Sequence, residues 1–290
     1  NITSNIDITV SSLNSRKSSS VSYLVHVGGI AGKATKLNSC SASASLDVES
    51  YGYNSSGYKF ALSSSVGGVV CDGVDLYECS FDGLINVTVC GSCGGLSYSA
   101  SGKVEKCYAK ASLRGEYSSS AGLILNAKQS TQILNCYAVN DFYFAGYYTA
   151  KDLNKSTNFV LEDYKCKVER CFVYNYRLSC GNVTFTNMNL NGTIVFNEEP
   201  NYYNVAHDLE WNSSEWVLGY GTPKFFTNEY VAISYQNVPQ EVINCNPSAY
   251  KKESAGFELT SPERIGYTFD GWFDSVDYTK KITSIVSIET

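Results

Sequence analysis

Cysteine is the residue type here whose number and spacing could do chemistry. The chain carries 11 cysteines in 290 residues. Two of them form Cys90-Gly-Ser-Cys93, the spacing of a redox or zinc pair. A redox pair needs a helix N-terminus to depress its thiol pKa, and this one is flanked by strand-like sequence. Zinc needs two further ligands, and the two histidines, His26 and His207, are each far away in sequence. A plain turn is the expected reading, with no metal and no cofactor.

Acidic residues offer a second chemistry. Asp72, Asp75, Glu78 and Asp82 could line one outer face, where paired carboxylates cleave glycosidic bonds in other proteins. Acidic residues on a solvated edge are ordinary, however, and no matching cluster recurs along the chain, so no catalytic residue is assigned. Tyrosines offer a third. Tyr51, Tyr53 and Tyr58 share one polar segment, and Tyr143, Phe144, Tyr147 and Tyr148 share another. Such loops bind sugars or proteins well, because tyrosine gives large contact area at low entropy cost. The competing reading is that they fold back over their own scaffold.

The elements that position these groups follow from a repeat. Cys40, Cys79, Cys107, Cys136 and Cys171 come at steps of 39, 28, 29 and 35 residues. Each ends a similar phrase, fullest as Thr-Gln-Ile-Leu-Asn-Cys-Tyr-Ala at 131–138. Upstream of four of them sits a glycine element: Val-Gly-Gly-Ile at 27–30, Val-Gly-Gly-Val at 66–69, Cys-Gly-Gly-Leu at 93–96 and Ala-Gly-Leu at 121–123. Its second glycine precedes the cysteine by 11, 11, 12 and 14 residues. Two landmarks holding order and distance over four copies imply a solenoid.

After each cysteine the hydrophobic period is two. Cys40, Ala42, Ala44, Leu46 and Val48 alternate with serines and Asp47, and the same frame follows Cys79, Cys107 and Cys136. The five cysteines therefore share a buried face as a ladder. In-register thiols on parallel strands point the same way, which opposes the dihedral near 90° of a disulfide. They are expected to act as small buried hydrophobes. Bridges among Cys71, Cys90, Cys93, Cys166, Cys180 and Cys245 stay open. Short strands, a period of about 28 residues and glycine at the bends predict an all-β chain, a parallel β-helix solenoid. The long steps predict inserted loops at 51–64 and 143–163. Beyond Cys171 the pattern fades, and an aromatic run from Trp211 to Phe226 reads as an end cap.

Composition excludes several classes. The formal net charge is −6, and no basic run is interleaved with aromatics, so nucleic acid is not an expected partner. No apolar stretch reaches 18 residues, so no membrane span is expected. No signal peptide is evident, and the chain opens on Asn1 within a strand-like run; it reads as a processed or excised piece of a longer protein. Seven Asn-x-Ser/Thr sequons stand in a chain so rich in Asn, Ser and Thr that they do not establish glycosylation.

The Gly-Gly-hydrophobic element followed by hydrophobic-x-Asn/Lys-Cys-Tyr-Ala resembles the GLUG repeat of bacterial surface and extracellular proteins, over residues 1–195. The later segment, with Gly-Tyr-Thr-Phe-Asp-Gly-Trp-Phe at 266–273, resembles the internalin B-type (Listeria–Bacteroides) repeat, a small β-grasp-like module of secreted proteins. The resemblances imply domains at 1–226 and 229–290, the second truncated. They also imply an extracellular, cell-surface setting with no catalytic residue set. The expected role is a non-catalytic stalk or adhesin, whose partner is a protein or glycan on a cell surface or other copies of the same assembly. A filament subunit and a glycan-binding or glycan-processing protein are the alternatives.

Overall fold

The computed structural model describes residues 2–4, 8–15, 24–53, 56–61, 63–88, 91–115, 119–144, 156–157, 160–163, 166–178, 193–196, 199–212, 214–239 and 241–286. Among the described residues the chain is all-β apart from one short helix, and it divides into two compact units, Asn1–Glu199 and Pro200–Thr290.

The first unit consists of three sheets built mainly from parallel pairs. Sheet I joins Leu24–Gly28, Ser63–Gly67, Gly91–Gly94, Ser119–Ala121 and Ser156–Thr157. Sheet II begins with Ala31–Asn38 and Val70–Tyr77, then takes two short strands from each later repeat, such as Ser97–Ala100 and Lys103–Glu105. Sheet III carries the strands that follow the ladder cysteines: Cys40–Tyr53, Ser80–Thr88, Tyr108–Gly115, Tyr137–Phe144 and Cys171–Leu178. Each repeat thus passes through sheets I, II and III in turn, and each strand pairs with its counterpart one repeat on.

The alternation read from sequence is the alternation of burial. Cys40, Ala42, Leu46 and Val48 are buried, as are Cys79, Phe81, Ile85 and Val87, and Cys107, Ala109, Ala111 and Leu113. Small side chains are needed because the sheets approach closely. A Cβ on Gly68, in the bend between sheets I and II, would lie 2.1 Å from the Gly95 carbonyl oxygen and 2.3 Å from Cγ of Phe81. The neighbouring repeat's backbone and the facing sheet both forbid a side chain there.

The second bend, just before each ladder cysteine, is made differently. Ser39, Glu78, Lys106, Asn135 and Arg170 all have φ between 49° and 53°. A non-glycine residue in this left-handed region costs about 1 kcal/mol or more. The bend is held by bonds along the stack. The amide of Ser39 donates to the Tyr77 carbonyl at 2.8 Å, and Glu78, Lys106 and Asn135 repeat the bond to Glu105, Leu134 and Glu169. The next amide, the cysteine's own, donates to sulfur: Cys79 N to Cys107 Sγ at 3.3 Å, Cys107 N to Cys136 Sγ at 3.3 Å and Cys136 N to Cys171 Sγ at 3.4 Å. Each thiol in turn donates to the carbonyl two residues before it, as Cys107 does to Glu105 at 3.2 Å. The ladder cysteines are therefore hydrogen-bonding groups as well as small hydrophobes.

Three expectations change. Within 51–64 most described residues are strand: Tyr51, Gly52 and Tyr53 pair antiparallel with Lys59–Ala61, and Ser63 opens a strand of sheet I. Within 143–163, Ser156–Thr157 and Val160–Asp163 are strands of sheets I and II, so the copy before Cys171 keeps its bend strands without a glycine pair. The boundary near 226 moves to Glu199/Pro200, because the aromatic run packs into the C-terminal unit. Val217 shares a buried cluster with Tyr230 and Ala249, the Leu218 amide donates to Ser248 Oγ, and Tyr220 donates to the Ala249 carbonyl. That unit opens with helix α1, Tyr202–Asp208, capped by the Asn201 side chain, which accepts from the amides of Tyr203 and Asn204. Its strands pair antiparallel in twos, among them Tyr230–Ala232 with Ala249–Lys251 and Trp272–Phe273 with Lys281–Ile282.

Two substitutions test these bends by urea unfolding. Gly68→Ala is expected to destabilise by about 2–3 kcal/mol, since backbone must move to admit the methyl. Cys107→Ala is expected to lose about 2–3 kcal/mol, combining a small cavity with an amide left without an acceptor. Cys107→Ser should lose less. A serine variant no better than alanine would show that the sulfur acts only as filler.

Candidate functional site

The described donor side chains that converge most tightly come from two repeats. His26 lies on Leu24–Gly28 of sheet I, and Cys71 and Asp72 lie on Val70–Tyr77 of sheet II. The strand register brings together residues 45 apart in sequence. His26 Nδ1 is 3.2 Å from Cys71 Sγ and 3.1 Å from Asp72 Oδ2. One donor atom from each of the three lies within 4.8 Å of the others. Cys71 is buried, while the side chains of His26 and Asp72 keep 37% and 32% of their surface exposed. Gly32 stands between the Cα partners of Val70 and Asp72, and a Cβ on it would meet only the His26 carbonyl oxygen, at 3.5 Å. Open space therefore lies beside the three donors. Lys33, the Cα partner of Asp72, places a cation one strand away.

This grouping is not a nucleophile–base–orienter triad. Such a triad needs the two imidazole nitrogens to face different partners. Here one nitrogen, Nδ1, faces both. Burial and the neighbouring Asp72 charge push the Cys71 thiol up to about 12, so it stays protonated at neutral pH, the reverse of an activated nucleophile. Nothing in the sequence marked His26 as a partner of Cys71, because only the register of sheets I and II joins them.

The other acidic candidates disperse. Asp75 Oδ1 accepts from the Lys103 amide at 2.9 Å, Glu78 accepts from Ser39 Oγ at 3.0 Å, and Asp82 sits on sheet III, 3.9 Å from Lys110 Nζ. They are spread over two sheets and a bend, each engaged with its own neighbour, and do not form a carboxylate pair. Of 90–93, Cys90 lies outside the described residues. Cys93 is buried, donates to Ser120 Oγ at 3.6 Å, and is pushed by burial up to about 11. Cys40, Cys71, Cys79, Cys93, Cys107, Cys136, Cys171 and Cys245 carry free thiols, and Cys245 is the exposed one of these. Cys180 lies outside the described residues. Burial also raises the thiols of Cys107 and Cys171, and at Cys136 it opposes ionisation against the pull of neighbouring S–H donors.

The tyrosine candidates separate likewise. Tyr51 and Tyr53 are half-buried on the antiparallel extension of sheet III, and Tyr58 at its tip is exposed. The backbone of Tyr143 pairs with Arg114 in sheet III. Tyr147 and Tyr148 lie outside the described residues.

A denser aromatic site, missed in the sequence reading, lies in the C-terminal unit. A cavity of about 690 Å³ is lined by Tyr235, Phe269, Trp272 and Phe273, among others. Tyr235 and Phe269 each set their rings edge-on to Trp272, at 5.1 Å. The Trp272 Nε1 donates to the Thr260 carbonyl at 2.9 Å, and buried Asn246 pins Thr260 by accepting its amide at 2.7 Å. The indole is thus oriented by its polar edge with its apolar body left for contact. The Gly-Tyr-Thr-Phe-Asp-Gly-Trp-Phe phrase supplied the signal, since seven of its eight residues line the cavity.

No family model, no curated protein and no solved structure matches this chain. No helix among the described residues is long and apolar enough to cross a membrane.

Burial of the thiols sets a pH expectation. Cys93 has a folded pKa raised above its ordinary 9.0 to about 11. The unfolded chain therefore binds fewer protons across this window, and stability present below pH 9 is lost as pH rises toward 11, at about 1.4 kcal/mol per unit. Urea unfolding at pH 8 and pH 10.5 should show a smaller decline in Cys93→Ser than in the parent chain. Equal declines would remove the buried thiol as the cause.

Proposed function

We propose that the chain is a non-catalytic extracellular surface protein, a stalk or adhesin segment whose first unit is a parallel β-helix solenoid. The observation that supports this most is the repeat-by-repeat register of the three sheets, together with bends that hydrogen-bond along the stack. A solenoid of this kind gains stiffness from contacts between neighbouring repeats and needs no bound ligand for it. The resemblances to GLUG and internalin B-type repeats point to the same setting, with a protein or glycan of a cell surface, or other copies of the assembly, as partner.

The cavity around Trp272 favours a specific form of this reading, in which the C-terminal module binds a glycan. Sugar rings present apolar faces that stack on aromatic side chains, and a site with a few fixed polar groups and mostly aromatic walls suits them. Tyr235, Phe269, Trp272 and Phe273 would supply the stacking surfaces, with Tyr53 and Tyr58 as a separate contact on the first unit.

A glycan array probed with the full chain, Trp272→Ala and a Tyr53→Ser/Tyr58→Ser variant tests this. Binding by the parent that falls at least ~10-fold in Trp272→Ala, as expected for losing a central aromatic anchor, supports the cavity as the adhesive site. A fall only in the tyrosine variant would move the site to the strand extension. No binding by the parent would end the glycan reading. Sedimentation velocity would then distinguish the filament subunit, which self-associates with concentration, from a stalk that does not.

A further inference from the structure

We propose that His26, Cys71 and Asp72 form a mononuclear site for a zinc-class divalent cation that ties the first repeat to the second. This goes beyond the scaffold reading and does not depend on it, since it rests on three donor atoms whose positions are set by register. A tetrahedral zinc ion with nitrogen, sulfur and oxygen ligands needs donors about 3.3–3.6 Å apart. The distances from His26 Nδ1 to Cys71 Sγ and Asp72 Oδ2 are 3.2 and 3.1 Å. Small side-chain rotations would open the donors around an ion. The free space beside Gly32 adjoins them.

The donor set selects the metal class. One thiol, one imidazole and one carboxylate suit zinc and its cobalt surrogate, whereas calcium and magnesium require oxygen ligands. The ligands come from two sheets and two repeats, so an ion would bridge the bend between sheets I and II. Three protein ligands leave a fourth position, and the partial exposure of His26 and Asp72 directs it to solvent, where water or a donor group of a partner molecule completes the shell. On binding, the Cys71 S–H proton leaves to bulk water and the thiolate bonds to the ion.

The test titrates the full chain, reduced and freed of metal, with Co²⁺ and then displaces it with Zn²⁺. The expected result is one Co²⁺ per chain with a thiolate-to-cobalt charge-transfer absorption that zinc abolishes. Cys71→Ser should lose the absorption. Asp72→Asn and His26→Ala should weaken affinity at least ~10-fold, with far-ultraviolet circular dichroism unchanged. Asp72→Asn alters a partly exposed side chain, so it keeps the test decisive if Cys71→Ser fails to fold. Cys245→Ser, which removes the exposed thiol, should bind as the parent does. An absent absorption in the folded parent, one that survives Asp72→Asn at full affinity, or one that disappears with Cys245→Ser would each overturn the proposal.

Discussion

The rest of the first unit depends on the bonds from the amides of Cys79, Cys107 and Cys136 to the sulfur of the next repeat's ladder cysteine. The left-handed residue before the cysteine turns the chain out of sheet II, and the turn leaves the cysteine amide aimed along the stack. A buried amide without an acceptor costs about 1–3 kcal/mol. An alanine there would supply no acceptor, and a serine hydroxyl would sit on a shorter bond. Sulfur reaches the amide, donates its own proton to a carbonyl, and presents an apolar body to the core. The same side chain therefore closes the bend and fills the interior, which explains why cysteine recurs when the residues around it vary.

Two bends per repeat then divide the work. At the glycine bend, the absent side chain is what matters, since the neighbouring repeat's carbonyl and Phe81 occupy the place of a Cβ. At the cysteine bend, side-chain chemistry before the cysteine matters little, because backbone bonds hold Ser39, Glu78, Lys106 and Asn135 in one conformation, which Arg170 shares. Hence Gly-Gly was legible as a motif and the left-handed position was not. Of its five residues, Asn135 alone belongs to the type enriched at positive φ.

The sequence read well where one physical cause repeats. Alternation after Cys40 and Cys107 mapped directly onto burial, because period two has one structural meaning in a strand. It read poorly where pairing across distance decides. Ser156–Thr157 and Val160–Asp163 lack the glycine signature, yet the preceding strands template them. The aromatic run near Trp216 looked like a cap because exposed aromatics at the end of an array need covering; its partners were instead Ser248 and Ala249. Helix α1 was hidden by its polar sequence, and its signal, Pro200 followed by Asn201 as N-cap, is only two residues long. His26 beside Cys71 and Asp72 could not be read at all, since their proximity is a property of register.

The extracellular setting proposed for a chain with many free thiols needs a physical account, because thiols outside cells oxidise. Oxidation and exchange run through the thiolate, so both exposure and pKa govern the rate. The described ladder thiols and Cys93 are buried at 3% exposure or less; burial raises the pKa of Cys93, Cys107 and Cys171, whereas hydrogen bonds from neighbouring groups lower those of Cys79 and Cys136, so burial is the shield they share. Their parallel, in-register placement also opposes the dihedral a disulfide requires. In the extracellular setting proposed, shielding by burial rather than pairing would keep the ladder reduced. Cys245 has no such shield. Cys71 lies between these cases, buried itself but in contact with partly exposed His26 and next to partly exposed Asp72, so among the described repeat thiols it is the one that could meet an ion from solvent.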